Sequence, residues 1–487
     1  MAETAASVVE THISTLFFVG NRVYKLKKGL RTGFLDWTTA DRRREACLNE
    51  VALNRRIAPD VYLGVAEVRG PDGEWDSLVV MRRMPAEANL ARLVTEGADV
   101  SDRLRSLAKL IADFHAGCRH DTETAAAGTP EAVAANWADN STEMAPYGTR
   151  GLLDEGVLHA VADLSQAYVR GRRDLFVARI AAGRVRDGHG DLQAADVFLL
   201  DDGPRVLDCL EFDPRLRHGD VLADVAFLAM DLERLGAARE AARFLEWYRE
   251  FSGDHWPASL AHHWIAYRAQ VRAKVACLRH DQGDPAASAE AAALLGLSHR
   301  HLDRGAPRLV LVGGLPGTGK STLAAALADR LGYAVLSTDE LRHQLEPGGG
   351  GDGYRTGLYR PEVTAATYRA LLDQAGRALA MGELVILDAS WSDARWRRQA
   401  AETAAHRDAT LVELVCEVPA PIAEERIRLR RAAGAGASDA TAAIARRMAA
   451  DADPWPTAHR VETAGPVDDA VAAAMDLVDA GWRDDWP

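Results

Sequence analysis

Gly314-Leu315-Pro316-Gly317-Thr318-Gly319-Lys320-Ser321-Thr322 stands between the apolar run 308–312 and the alanine-rich stretch Leu323 to Leu331. The order is strand, glycine loop, helix, which is the context a phosphate cradle needs. Glycines let backbone N–H groups turn inward on phosphate oxygens, and the helix N-terminus adds positive potential. In that pattern Lys320 reaches the β- and γ-phosphates of a nucleoside triphosphate and the Ser321 hydroxyl holds Mg²⁺. Gly314, Gly317, Thr318, Gly319 and Thr322 supply the rest of the cradle.

Working outward, the region after 307 alternates. Strands are expected at 308–312, 333–337, 383–387 and 411–418, with helices at 320–331, 361–381, 393–406 and 420–432. Such alternation predicts a parallel sheet covered by helices on both faces, an α/β three-layer domain. A phosphate loop usually follows the first strand of its domain, so a separate unit precedes residue 307. Its first 90 residues read as short strands (16–19, 22–26, 64–68, 77–81) around one helix near 41–57. Residues 91–280 read as mostly helical, with strand-like 197–200 and 205–210, giving an α+β unit over 1–280. The Ala-rich helix pattern within 281–306, flanked by Asp281–Pro285 and Asp303–Pro307, reads as a linker to the domain 307–487.

Composition narrows the function classes. The 487 residues carry a net charge of −13 at pH 7, which argues against a dedicated nucleic-acid binder. No apolar run approaches the ~18 residues of a membrane span, and the N-terminus lacks a basic region followed by an apolar core. Five cysteines are scattered without metal-ligand or disulfide spacing, so a cytoplasmic protein is expected. Of 58 basic residues only six are lysine, at 25, 27, 28, 109, 274 and 320. Lysine is a compact point charge that the planar arginine fork does not replace, which directs attention to Lys25 as a second phosphate-gripping group.

Beyond the loop, Asp339 follows the second strand in 337–342, where a carboxylate can take the proton of an attacking hydroxyl; capping a helix is its other reading. Arg342 fits an anionic substrate or the moving phosphoryl group. Asp388, ending the third strand, is placed to touch the Mg²⁺ shell. Arg426 and Arg430, four apart, share a helix face with a solvated-face reading equally open. Gly348 to Gly353, flanked by Tyr354 and Tyr359, reads as a segment lining an acceptor site. Residues 308–480 resemble P-loop small-molecule kinases, relatives of gluconate and shikimate kinases, polynucleotide 5′-kinases and zeta toxins. The resemblance implies that Asp339 is the base or acceptor-orienting group, that arginines near 426–431 form a lid, and that the loop 462–466 contacts the base.

In the first unit, His189-Gly190-Asp191 precedes a hairpin bearing Asp196 and Asp208. Three carboxylates gathered there repel one another unless cations neutralise them, which points to a Mg²⁺–phosphate site. The segment resembles the aminoglycoside phosphotransferase and protein-kinase-like fold. That resemblance implies a bilobal domain with small lobe 1–90 and large lobe 91–280. Asp191 would be the base, Asp208 a Mg²⁺ ligand, and Asp196 would stand where the family has Asn. Lys25 would grip phosphate with Glu50, or alternatively Glu45, as its ion-pair partner. Gly20 sits in a tight hairpin rather than a three-glycine flap. The basic stretch Arg268, Arg272, Lys274 fits an anionic ligand or a surface face. Taken whole, the chain resembles bacterial fusions of an aminoglycoside phosphotransferase-like domain with a P-loop kinase. The expected activity is ATP- or GTP-driven, Mg²⁺-dependent transfer to a hydroxyl of a small polar metabolite such as a sugar, amino sugar or aminoglycoside. A small-molecule acceptor is expected as partner, with no nucleic acid and no membrane. A nucleic-acid 5′-end or nucleotide-sugar kinase, or a nucleotide-binding regulator with little turnover, are the rival readings.

Overall fold

The burial of β-strand residues sets the first lobe. In the computed structural model, which describes residues 7–11, 13–31, 36–70, 73–345, 359–432 and 441–478, five strands form one antiparallel sheet. They are β1 (Ser7–Glu10), β2 (Ser14–Val19), β3 (Arg22–Lys27), β4 (Tyr62–Arg69) and β5 (Trp75–Arg82), in the order β1-β2-β3-β5-β4. Strand side chains alternate between faces, so the buried Val23 puts Lys25 and Lys27 on the same inward side. The helix Ala40–Asn54, capped by Thr39, packs on this sheet and buries Glu50 opposite both lysines.

The second lobe is helical, interrupted by two small hairpin-like pairings. β6 (Val185–Asp187) pairs with β9 (His218–Asp220), and β7 (Val197–Leu200) with β8 (Gly203–Val206), all antiparallel. One continuous apolar core runs from Val23 and Val79 in the sheet to Trp264 and Ala269 in the helix Ala258–Asp281. The stretch 281–306 forms the helix Ala287–Arg304, and its Leu294, Leu295, Leu297 and Leu302 belong to that same core. It therefore extends the helical lobe instead of standing apart as a spacer.

From Arg308 the pattern changes to a five-stranded, wholly parallel sheet. β10 (Arg308–Gly313), β11 (Ala334–Ser337), β12 (Val385–Asp388), β13 (Thr410–Glu417) and β14 (His459–Glu462) lie in the order β11-β12-β10-β13-β14. β10 is buried along its whole length, as a central parallel strand must be when both faces are covered. Leu309 and Leu311 pack toward helices Pro361–Ala380 and Ala394–His406, while Val310 and Val312 pack toward Lys320–Leu331 and Val467–Val478. Fold class and strand sequence match the expectation; β14 and the closing helix Val467–Val478 were not anticipated. The predicted segment Gly348–Gly353 with Tyr354 lies outside the described residues, as do residues 433–437 after the arginine helix.

The two units touch at the edge of the parallel sheet where its strands begin. Arg170 pairs with Asp408 at 2.5 Å, Arg172 donates to the Arg407 carbonyl, and Ser259 Oγ donates to the Gly382 carbonyl at 2.6 Å. No helix of the described residues is long and apolar enough to cross a membrane.

Candidate phosphoryl-transfer sites

The phosphate loop leaves β10 at Gly314, whose N–H donates to the Ser390 carbonyl at 3.3 Å. Gly317 and Gly319 take φ of 85° and 89°, the left-handed region that only glycine occupies cheaply. A Cβ on Gly317 would stand 2.5 Å from the Ala423 carbonyl oxygen, so the loop is packed against the backbone of the helix Ala420–Ala432. Helix Lys320–Leu331 starts directly from Gly319 with no side chain capping it. Its first N–H groups are left for an external acceptor, which is the donor set a polyphosphate satisfies.

Register carries Asp388 to the loop: it pairs with Val312 and Ser337 at the carboxyl ends of β10 and β11. Burial raises its carboxyl pKa, while Lys320 and a hydrogen bond with Ser321 pull the other way. Its Oδ1 is buried without a hydrogen-bond partner. An orphan carboxylate oxygen beside a serine hydroxyl and an ammonium fits Mg²⁺, which takes one or two protein oxygens and completes its shell with waters and phosphate.

Across the site, Asp339 pairs with Arg342 at 2.6 Å. The Asp339 N–H donates to Ser337 Oγ at 3.2 Å, so the capping role falls to Ser337 and leaves the aspartate side chain for other work. Arg342 is buried, lies 4.8 Å from the Tyr359 ring centroid, and keeps its Nε without a partner. Arg426 lies elsewhere. It donates to the Thr463 carbonyl at 2.8 Å and lines a 240 Å³ pocket with Gly319, Thr322, Thr463 and Pro466. That pocket abuts the phosphate-loop helix on the side of the loop 462–466, which the sequence pointed to for base contact. Arg430, one turn on, buries Nε and Nη2 without hydrogen-bond partners. A larger 680 Å³ cavity lies against Gly314 and Leu315 and is walled by Ser390, Ser392, Trp391 and Trp455. Trp391 holds φ at 51°, an outlier for so bulky a residue, and thereby turns the chain after β12 around this cavity. Neither tryptophan was singled out from sequence.

In the first unit Lys25 bridges Glu50 at 2.9 Å and Asp208 at 2.5 Å; Glu45 is exposed, so Glu50 is the partner. Sequence reading missed the rest of this cluster. Lys27 pairs with Glu50 at 2.6 Å and with Glu211, and rests 4.3 Å from the Trp37 ring centroid. The two-residue spacing from Lys25 in a strand was the available signal. Burial works to raise the Glu50 carboxyl, yet Lys25 and Lys27 hold it well below the ordinary range.

The Asp191 turn is fixed from below. Asp224 accepts the N–H groups of His189 at 2.6 Å and Gly190 at 2.9 Å, which gives it a structural role. Burial pushes the Asp191 carboxyl up to about 6, opposed by Arg272 and Arg268 and reinforced by Asp208. Asp196 is also raised, by burial and then by Asp208 and Asp191. The three carboxylates thus sense one another, and Asp208 reaches its place through a left-handed φ of 64°. Each carboxylate raises the cost of ionising its neighbours, yet among the described residues no three His, Cys, Asp or Glu side chains converge to hold an ion.

A unit built on a five-stranded antiparallel sheet and a helical lobe, joined to a phosphate-loop unit with a five-stranded parallel sheet, is the class that these elements define. The family model described as AAA domain matches residues 309–455. Over 486 residues the chain is 40% identical to the uncharacterized protein Rv2004c of Mycobacterium tuberculosis, covering 99% of this chain and 96% of that one; the same figures hold for the uncharacterized protein Mb2027c of Mycobacterium bovis. The chain belongs to the family of these mycobacterial proteins. Among solved structures, the Mycobacterium tuberculosis APS kinase CysC in complex with AMPPNP and APS is similar over 36% of this chain and 98% of its own, at 25% identity and a TM-score of 0.28. A choline/ethanolamine kinase family protein from Mesorhizobium loti is similar over 61% of this chain and 92% of its own, at 12% identity and a TM-score of 0.37.

Proposed function

We propose that the P-loop half is an ATP- and Mg²⁺-dependent phosphotransferase acting on a hydroxyl of a small polar metabolite. The observation that carries this reading is Asp388: a buried carboxylate with an orphan oxygen, beside Lys320 and Ser321, at the mouth of an uncapped helix. Loop amides and Lys320 would hold the β- and γ-phosphates. Ser321 and Asp388 would hold Mg²⁺, which when bound neutralises charge on the triphosphate. Arg426, in the pocket with Thr463 and Pro466, would lie on the nucleotide base, and Arg430 would face the phosphates. The acceptor would enter through the 680 Å³ cavity beside Gly314, where Ser390 and Ser392 offer hydroxyls and Trp391 and Trp455 offer flat faces for a polyol ring. Asp339 would accept the proton as the acceptor oxygen attacks, and Arg342 would stabilise the moving phosphoryl group.

The cluster of Lys25, Glu50, Asp208, Asp196 and Asp191 supports a second nucleotide site in the first unit. A radiolabelled-ATP screen of the full chain against sugars, amino sugars, aminoglycosides, nucleosides and short RNA tests both sites, with Lys320→Ala and Asp191→Asn run in parallel. Product formation with a sugar and its loss in Lys320→Ala is the expected result. Unaltered transfer in Lys320→Ala would move the reaction out of the P-loop half. Preference for RNA ends would replace the metabolite reading.

A further inference from the structure

Thr463 follows the end of β14, and each of its polar groups is bonded to a different part of the P-loop half. Its N–H donates to the carbonyl of Glu417, the last residue of β13, at 3.0 Å. Its Oγ1 donates to the Thr318 carbonyl at 2.5 Å, with the Glu417 carbonyl farther off at 3.2 Å. Its own carbonyl accepts from Arg426 Nη2 at 2.8 Å. The residue is buried, so water competes poorly for these bonds. Gly319 packs against both partners: a Cβ there would stand 3.4 Å from Arg426 Nη1 and 3.5 Å from Thr463 Cβ.

The bond to Thr318 bears on phosphate. No peptide of the described residues is cis, so the Thr318 C=O and the Gly319 N–H of one planar unit point opposite ways. A hydroxyl that holds the carbonyl on the Thr463 side therefore turns the Gly319 N–H to the other. That N–H meets no acceptor among the described residues, and it directly precedes the uncapped first turn of Lys320–Leu331. Gly319 has no Cβ to bar rotation of this peptide, so something outside the loop must fix its plane.

We propose that Thr463 is a positioning residue for the polyphosphate: its hydroxyl sets the plane of the Thr318–Gly319 peptide so that the Gly319 N–H is presented to phosphate. Its carbonyl does a second task, holding Arg426 at the pocket with Pro466. Phosphate and base recognition thus meet in one residue but depend on different atoms of it. Removing the hydroxyl touches the first and leaves the second. This rests on the P-loop half binding a nucleoside triphosphate.

The test is calorimetric titration of the full chain with ATP, GTP and inorganic tripolyphosphate, each with Mg²⁺. Binding that disappears in Lys320→Ala is assigned to the P-loop half. Thr463→Val keeps the side-chain shape and the carbonyl but lacks the hydroxyl. It should weaken ATP and tripolyphosphate by the same factor, roughly threefold to tenfold for one lost hydrogen bond, and leave the ratio of ATP to GTP affinity where it was. Thr463→Ser, which keeps the hydroxyl, should bind like the parent. Arg426→Ala should do the reverse, weakening ATP and sparing tripolyphosphate. Parent-like tripolyphosphate binding in Thr463→Val, a Thr463→Ser as weak as Thr463→Val, or a changed ratio of ATP to GTP affinity in Thr463→Val would each overturn the proposal. If Lys320→Ala binds ATP as the parent does, the nucleotide reading of the P-loop half falls and takes the proposal with it. If binding is lost there while Thr463→Val matches the parent, the proposal alone falls.

Discussion

Replacing Lys27 by methionine separates the structural from the functional half of the buried ion cluster. Lys27 is 1% exposed, and its removal leaves Glu211 facing Glu50 with no cation of its own, while the Trp37 ring loses its charged neighbour. Breaking a buried pair by deleting one partner costs about 3–5 kcal/mol, because the carboxylate left behind is desolvated and unpaired. Lys25→Met should cost less, roughly 1–2 kcal/mol, since Glu50 retains Lys27 at 2.6 Å and Asp208 has a side chain 48% exposed and screened by water. Urea unfolding of both variants gives the two losses. Adding Glu211→Leu to Lys27→Met should recover much of the deficit, because no charge then remains unpaired. A pH series adds a second check. The Glu211 carboxyl is already raised by burial, and a raised folded-state pKa means that the native state binds the extra proton. The Lys27→Met deficit should therefore shrink as pH falls through that raised value and grow as pH rises. If Lys25→Met proves the more destabilising variant, or the double variant is worse than Lys27→Met alone, the division of labour drawn from the geometry is wrong.

Three further outcomes are expected. Gly317→Ala would put a methyl 2.5 Å from the Ala423 carbonyl at a φ of 85°, and ATP affinity measured by calorimetry should fall at least on the order of tenfold, with a lowered melting temperature from roughly 1–3 kcal/mol of backbone strain. Arg426→Ala should raise KM for ATP roughly tenfold, with kcat largely kept, since the residue lines the 240 Å³ pocket beside Thr463 and Pro466 and does not touch Asp388; an equal fall in kcat would place it on the transferred group instead. For transfer at Asp191, the base must be ionised and its pKa is raised to about 6, so kcat/KM should climb below that pH and level off above it; a profile flat down to pH 4 would remove Asp191 from the base role.

What could be read from the chain alone was whatever its chemistry states locally. The loop 314–322 and helix Lys320–Leu331 are contiguous, and glycine at left-handed positions leaves its own mark. The alternation of apolar strand and amphipathic helix after Arg308 carried the parallel sheet for the same reason. Lys27 and Glu211 were invisible because they are 184 residues apart and meet only when β3 is laid over the second lobe. The helix Ala287–Arg304 looked like a spacer because its alanine-rich pattern is the same whether its leucines enter a core or not. Arg426 shows the limit within a motif: spacing placed it with Arg430, and nothing in the helix foretold its bond to the Thr463 carbonyl, 37 residues away.

The seam between the two units has a consequence for traffic. Gly382, Arg407 and Asp408 lie just before β12 and β13, whereas the phosphate loop and Asp388 lie where the strands finish; eight residues of β13 span about 25 Å. The mouth of the P-loop half thus opens on the far side from the join. Nucleotide would come and go without the halves parting, and a metabolite handled by both would have to escape into bulk water before it met the second centre.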